Sequence, residues 1–177
     1  MIKLVTERLI IRDNIESDLE EHHRLMSDPE IMSYISDIQT HSYEESKKNL
    51  AFSIEEAQSN ERTCYFFAII NKNTSEYIGA TGITVLEKND TGCNVELGYF
   101  ILKEHWGKGY TTEAAQAVID FAFNQLKVHK ISTGCVYENS GSENIMKKLG
   151  MTKEAHLTKH VLHKDQWKDR VEYALFR

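Results

Sequence analysis

The chain has 177 residues, 41% of them hydrophobic and 27% charged, and a formal net charge of −6. That length suits one domain that buries its core without disulfides or metals, and the composition is that of a globular protein rather than a disordered chain. The acidic balance offers no footprint for nucleic acid, the widely spaced Cys64, Cys93 and Cys135 form no disulfide framework or CxxC pair, and the longest apolar run, Tyr65 to Ile70, is too short to cross a bilayer. A single domain over residues 1–177 is expected, with no membrane or nucleic-acid partner. Lys3, Glu7 and Arg8 interrupt any apolar N-terminal stretch, so a secretory signal is not expected and the expected compartment is the cytoplasm.

In chain order, Leu9 to Ile11 predicts a strand, and Ser17 precedes an acidic helical stretch through Met26. Asp28-Pro29 predicts another short helix, with aspartate as cap and proline at the first helical position. Ser42-Tyr43-Glu44-Glu45 reads as a capping box opening a helix to about Gln58, with Leu50, Ile54 and Ala57 on one face. Thr63 to Asn71, Tyr77 to Glu87 and Cys93 to Ile101 are rich in aromatic and β-branched residues and separated by polar turns, the pattern of an antiparallel meander.

Val95 to Ile101 then runs through His105-Trp106-Gly107-Lys108-Gly109-Tyr110 into a helix whose buried stripe is Ala114, Ala115, Val118, Ile119, Ala122, Phe123 and Leu126. The two glycines let the backbone curl closely, and the first amides of the helix are free to converge on an anion. That is the physical pattern of a pyrophosphate cradle. It lacks the third glycine of a dinucleotide fingerprint, and Gly109 follows Lys108 where a P-loop needs Ser or Thr. Beyond it come a strand over Lys130 to Tyr137, a short helix from Ser142 to Leu149 stopped by Gly150, and two strands meeting at Lys164-Asp165-Gln166.

Glu104-x-x-Gly107-x-Gly109 resembles motif A of the GNAT acetyltransferases, Gln/Arg-x-x-Gly-x-Gly/Ala, and its WGKGY form is similar to the RimJ/RimL-type N-acetyltransferases. The likeness extends to Thr6-Glu7-Arg8-Leu9-Ile10-Ile11-Arg12, to Asn139-x-x-Ser142 with Lys148-Leu149-Gly150-Met151, and to Trp167-x-Asp169-x-x-x-Tyr173, so it spans nearly the whole chain. The residues themselves point to an α+β, or mixed α/β, arrangement of helices on a largely antiparallel sheet. The resemblance implies the GNAT fold in the order β-α-α-β-β-β-α-β-α-β-β, with a slot for the pantetheine arm where the strands before and after the motif A helix splay apart.

It also implies acetyl-CoA as cosubstrate, no metal, and transfer to a primary amine, either a protein N-terminal residue or a small molecule, by a monomer or homodimer. A non-catalytic acyl-CoA-binding module is the alternative. The implied cofactor contacts are Phe100, Leu102, Gly107, Lys108, Gly109, Tyr110, Thr111, Thr112 and Asn139. Strand alternation turns Glu96 away from the apolar row of Val95, Leu97 and Tyr99, so that it could border the cleft as a partly desolvated general base. The resemblance assigns Asn139 to the pantetheine amide and Ser142 to the sulfur, whereas spacing alone also fits helix capping. Two departures stand out. Met146 replaces the usual general-acid tyrosine, leaving Ser142, or less directly Tyr137, as the hydroxyl near the thiolate, and Glu104 replaces the usual Gln/Arg. Lys147 and Lys148 are further possible phosphate partners, and Glu113 suits the helix N-terminus electrostatically. His156, His160 and His163 do not share one strand face and predict no metal site.

Overall fold

A computed structural model describes residues 1–35 and 37–177. One sheet of eight strands carries the molecule, from β1 (Lys3–Val5) and β2 (Leu9–Asp13) through β3 (Cys64–Asn71), β4 (Tyr77–Asn89), β5 (Gly92–Ile101) and β6 (Val128–Val136) to β7 (Thr152–His163) and β8 (Gln166–Phe176). Its spatial order is β1-β2-β3-β4-β5-β6-β8-β7, and every neighbouring pair is antiparallel except β5 and β6. The helices are α1 (Leu19–Ser27), α2 (Tyr43–Gln58), α3 (Tyr110–Gln125) and α4 (Ser140–Lys148). None among the described residues is long and apolar enough to cross a membrane.

The expected mixed α/β architecture and the β3 to β5 meander are found. The order differs at the start, where the short β1 forms a hairpin with β2. The helix expected at Asp28-Pro29 is absent. Asp28 Oδ1 accepts from the amides of Glu30 (2.8 Å) and Ile31 (3.1 Å) as a cap would, but residues 29–34 continue only as turns. Lys103 holds this segment through Asp28 Oδ2 (3.1 Å) and Glu30 (2.7 Å), and a single capped turn is too short to propagate without further packing.

The sheet buries both faces. Against α3 and α4 it packs Leu9, Ile11, Phe67, Ile69, Val95 and Leu97 with Ala115, Val118, Ile119 and Met146, so the predicted stripe of α3 does cover the sheet. On the other face Ala68, Tyr77 and Leu102 meet Leu25 and Met26 of α1. Alternation along β5 therefore sorts its side chains between two chambers: Tyr99 joins the α3 side, and Phe100 joins the α1 side, which Glu96 shares by parity.

The β5–β6 pairing is what positions the site. Its ladder runs Cys93↔Val128, Asn94↔Lys130, Val95↔Ile131, Glu96↔Ser132 and then stops, although both strands continue. Beyond Glu96 and Ser132 the strands separate, and the carboxyl end of β5 leads to the glycine turn while that of β6 leads to α4.

Candidate active site

The glycine turn sits between a short 3-10 turn (Lys103–His105) and α3. Gly107 (φ 73°) and Gly109 (φ 79°) both occupy the left-handed region, and Gly109 is the N-cap of α3, with no side chain capping the helix. The amides of Tyr110, Thr111 and Thr112 thus open the helix without a capping side chain, which is the geometry an anion requires. Lys108, on the same turn, is exposed. These six residues, Gly107 to Thr112, are contiguous and lie beyond the carboxyl end of β5.

Sequence reasoning missed what holds the cradle in place. Arg8 donates through Nη1 to the Lys108 carbonyl (2.9 Å) and through Nε to Glu113 (2.6 Å), and lies 4.6 Å from the centre of the Tyr110 ring. Glu113 also accepts from Thr6 Oγ1 (2.6 Å) and the Arg8 amide (2.9 Å). Burial alone would raise the Glu113 carboxyl, but these bonds bring it below the ordinary carboxylate range. Glu113 therefore ties the segment before β2 to α3, a more specific task than favouring the helix dipole. Glu104 is likewise committed, to Arg24 of α1, and Trp106 Nε1 donates to the Ile101 carbonyl (2.8 Å). Phe100 packs at the edge of the α1-side core. Leu102 is buried in it, with its amide bonded to Ile78 O (3.1 Å) and its carbonyl to the His105 amide (2.9 Å).

Across the slot, the helix expected at Ser142 begins at Ser140 and is capped by Asn139, whose Oδ1 accepts from the Ser142 amide (3.1 Å). Capping thus belongs to Asn139, leaving its side-chain amide nitrogen for other partners and freeing Ser142 from that duty. The Ser142 hydroxyl lies 2.9 Å from the phenol of Tyr99, which reaches across from β5. Met146 is fully buried, 0% exposed, in the core and offers no proton. Tyr137, 50% exposed, packs against His156 at 4.9 Å rather than on the slot. Lys147 is paired with Glu143 at 3.0 Å.

Glu96 stands on the opposite face at the last paired position, which fits a side chain bordering the cleft. Its side chain is 49% exposed. One unforeseen side chain of β8 reaches it: Arg170 Nη2 lies 3.9 Å from Glu96 Oε1, and Arg170 Nε donates in turn to Glu172. Gly134 of β6 makes room for that pair, because a Cβ there would overlap Glu172 Oε2 and stand 2.8 Å from Arg170 Nη2. Beside Glu96 the position of Gly98 is open on this face, since a Cβ there would meet only the Phe100 ring, at 3.9 Å. A carboxylate on one face, a hydroxyl pair on the other and an unpaired stretch of strand between them could serve two substrates entering from opposite sides.

Two of the histidines of β7 are engaged elsewhere. His156 meets Asp169 at 2.7 Å, His163 stacks on Tyr34 at 5.1 Å, and a register shift between Leu157 and Val161 breaks simple alternation. Among the described residues no group of three or more His, Cys, Asp or Glu side chains could hold a metal ion.

Glu143, next to Ser142, accepts from Tyr173 (2.7 Å) and pairs with Lys147 and Lys153, which hold its carboxyl down at about 2. A carboxyl depressed in the folded state adds stability above its unfolded value near 4.5, and that contribution disappears as pH falls towards 2. Melting temperature measured from pH 6 to 2 should therefore fall less steeply in Glu143→Gln than in the parent. Parallel curves would show that the contacts of Glu143 add no net stability.

Comparison with known proteins agrees with this fold. A profile described as "Acetyltransferase (GNAT) domain" matches residues 8–152. The chain is 28% identical to the uncharacterized N-acetyltransferase p20 of Bacillus licheniformis over 100% of its own length and 97% of that protein's. Its fold superposes on the ribosomal-protein-S5-alanine acetyltransferase of Vibrio fischeri with a TM-score of 0.85 at 20% identity, covering 99% of this chain and 97% of the other. The spermidine N-acetyltransferase of Vibrio cholerae, solved with CoA and spermine, gives 0.83 at 22% identity, covering 97% and 96%. At those identities the two structures establish the shared fold alone.

Proposed function

The chain belongs to the GNAT acetyltransferase family, and from that premise we propose that it carries an acetyl group from acetyl-CoA to a primary amine in a single ternary complex, with Glu96 as base and Ser142 as the donor nearest the departing sulfur. The observation that carries this reading is the end of the β5–β6 ladder at Glu96 and Ser132, with the cradle beyond one strand and Asn139 and Ser142 beyond the other. The pyrophosphate would lie on the amides of Tyr110, Thr111 and Thr112, with Lys108 beside it. The pantetheine arm would pass into the slot towards the free amide nitrogen of Asn139, and the acetyl carbonyl would reach the gap between the strands. The amine would approach from the α1 side, lose a proton to Glu96 directly or through water, and attack the thioester carbon; the C–S bond would then break with CoA leaving as thiolate, and the second proton of the new amide nitrogen would pass to solvent or to the departing CoA.

The two solved relatives named above act on different acceptors, a ribosomal protein and a polyamine. For this chain the carboxylates of Glu96 and Glu172 outnumber the one guanidinium of Arg170, which favours an acceptor arriving as an ammonium. Three free cysteines fit a reducing compartment, and we place the protein in the cytoplasm on that ground.

Selective binding to the folded state gives the first test. CoA at about 100 times its dissociation constant should add roughly 2.7 kcal/mol to stability, read as a rise in melting temperature, while ATP and NAD at equal concentration do much less. Equal shifts from all three would remove the acyl-CoA assignment. Activity is tested by a panel of polyamines, amino acids and N-terminal peptides, following thiol release from acetyl-CoA.

A further inference from the structure

We propose that Tyr99 is a positioning residue for the departing thiolate: its phenol donates to Ser142 Oγ and so turns the Ser142 hydroxyl hydrogen into the slot, towards the sulfur of CoA. The inference rests on the reading of Ser142 as the donor near that sulfur.

Tyr99 lies on β5 three residues past the end of the β5–β6 ladder, on the α3 and α4 side of the sheet, so its side chain spans the gap that separation of the strands creates. Its phenol oxygen is 2.9 Å from Ser142 Oγ and 3.3 Å from the Ser142 carbonyl. That carbonyl lies within α4, where the helical ladder supplies an N–H, so the phenol proton is better used on the hydroxyl oxygen. A serine that accepts from Tyr99 keeps one hydrogen free to donate elsewhere.

A serine hydroxyl by itself rotates freely and is a weak donor. Accepting a hydrogen bond both fixes its rotor and polarises its O–H, the usual effect of a hydrogen-bonded chain. Burial pushes the Tyr99 phenol up to about 12, so Tyr99 stays protonated while the enzyme works. It therefore acts by donating a hydrogen bond and keeps its proton: the C–S bond breaks, the electron pair stays on sulfur, and the anion leaves stabilised by Ser142 O–H.

The titratable neighbours of Ser142 do not replace this arrangement. The Cys135 thiol of β6 is held neutral by burial, an effect that its own side-chain contact with Ser142 moderates, and its hydrogen points at the Asn139 carbonyl (3.7 Å), while Glu143 is committed to Tyr173, Lys147 and Lys153. Met146, at the place where the resemblance puts a tyrosine, has no donor. The Tyr99–Ser142 pair thus supplies from a strand and a helix what one helical tyrosine would supply elsewhere.

The test is the ionisation of the CoA thiol when bound, followed by ultraviolet absorbance of the thiolate across pH in the parent, Tyr99→Phe, Ser142→Ala and the double variant. Melting curves confirm folding, and Tyr99→Phe preserves the ring in the core. In the parent, bound CoA should ionise about tenfold more readily than free CoA, equal to about one pKa unit. Tyr99→Phe should lose about threefold of that and Ser142→Ala all of it, while the double variant should match Ser142→Ala, because the phenol acts only through the serine. With the amine selected in the panel above, kcat should fall in the same order, by about tenfold for Ser142→Ala, with KM for acetyl-CoA unchanged. If Ser142→Ala shows the losses and Tyr99→Phe does not, or if the two losses add in the double variant, Tyr99 is a packing residue or acts independently and the proposal is overturned. If Ser142→Ala itself matches the parent in both measurements, the reading of Ser142 fails and the proposal falls with it.

Discussion

Glu96→Gln should lower kcat about 100-fold while leaving the affinity for acetyl-CoA unchanged, because the substitution removes a proton acceptor and keeps the shape of the side chain. Glu96 stands where β5 and β6 part, on the face opposite Ser142, beside the open space over Gly98. An amine entering there arrives as an ammonium and must lose a proton before it can attack. The deficit should therefore shrink as pH rises, since more of the amine is already neutral. Arg170 and Glu172 fix the carboxylate's surroundings, so Gly134→Ala, which would displace both, should produce a smaller loss of the same kind. Near-parent turnover in Glu96→Gln at neutral pH, with chemistry shown to limit the rate, would make Glu96 structural and leave water as the base.

Gly109→Val should weaken CoA binding by roughly 5- to 150-fold. Gly109 caps α3 at φ 79°, and a β-branched residue held in that conformation carries strain of about 1–3 kcal/mol. The turn can relieve the strain only by moving, which disperses the amides of Tyr110, Thr111 and Thr112. Binding must then restore the strained form, and about 1.4 kcal/mol corresponds to tenfold in affinity. Space is not the obstacle, because a Cβ at Gly109 would meet only Arg8 Nη2, at 3.4 Å. Gly109→Ala, with the same backbone conformation and a smaller conflict, should fall between the two. Circular dichroism establishes that the variants fold; unchanged CoA affinity in folded Gly109→Val would place the phosphate elsewhere.

Those two sites were legible in the sequence for different reasons. The cradle is local: a strand, two glycines and an apolar helical stripe lie within about thirty consecutive residues, and each is set by short-range rules of backbone freedom and periodicity. Glu96 emerged from alternation along one strand. Contacts between distant segments were not legible. Arg8 reaches Lys108 and Glu113 across about a hundred residues, and Arg170 meets Glu96 only because β8 pairs with β6 in a register that nothing in β8 announces. Gly134 carried a signal in its place inside a strand, where glycine often marks a close approach, but what approaches it could not be named. Tyr99 read as one more apolar-row residue, and its partnership with Ser142 depends on how α4 docks. At Asp28 the local cap signal was present and correctly placed, yet the tether to Lys103 and the shortness of the segment left turns instead of a helix.

The central claim, transfer of acetyl from acetyl-CoA to an amine through the gap between β5 and β6, is tested most directly by mass analysis of an amine and peptide panel incubated with acetyl-CoA and the protein, with thiol release measured in the same samples. The account predicts at least one acceptor acetylated in equal amount to the CoA released, with product formation sharply reduced by Glu96→Gln. Tight CoA binding with no acetylated acceptor across the panel, and thiol release that no amine accelerates, would contradict it and make the protein an acyl-CoA-binding module.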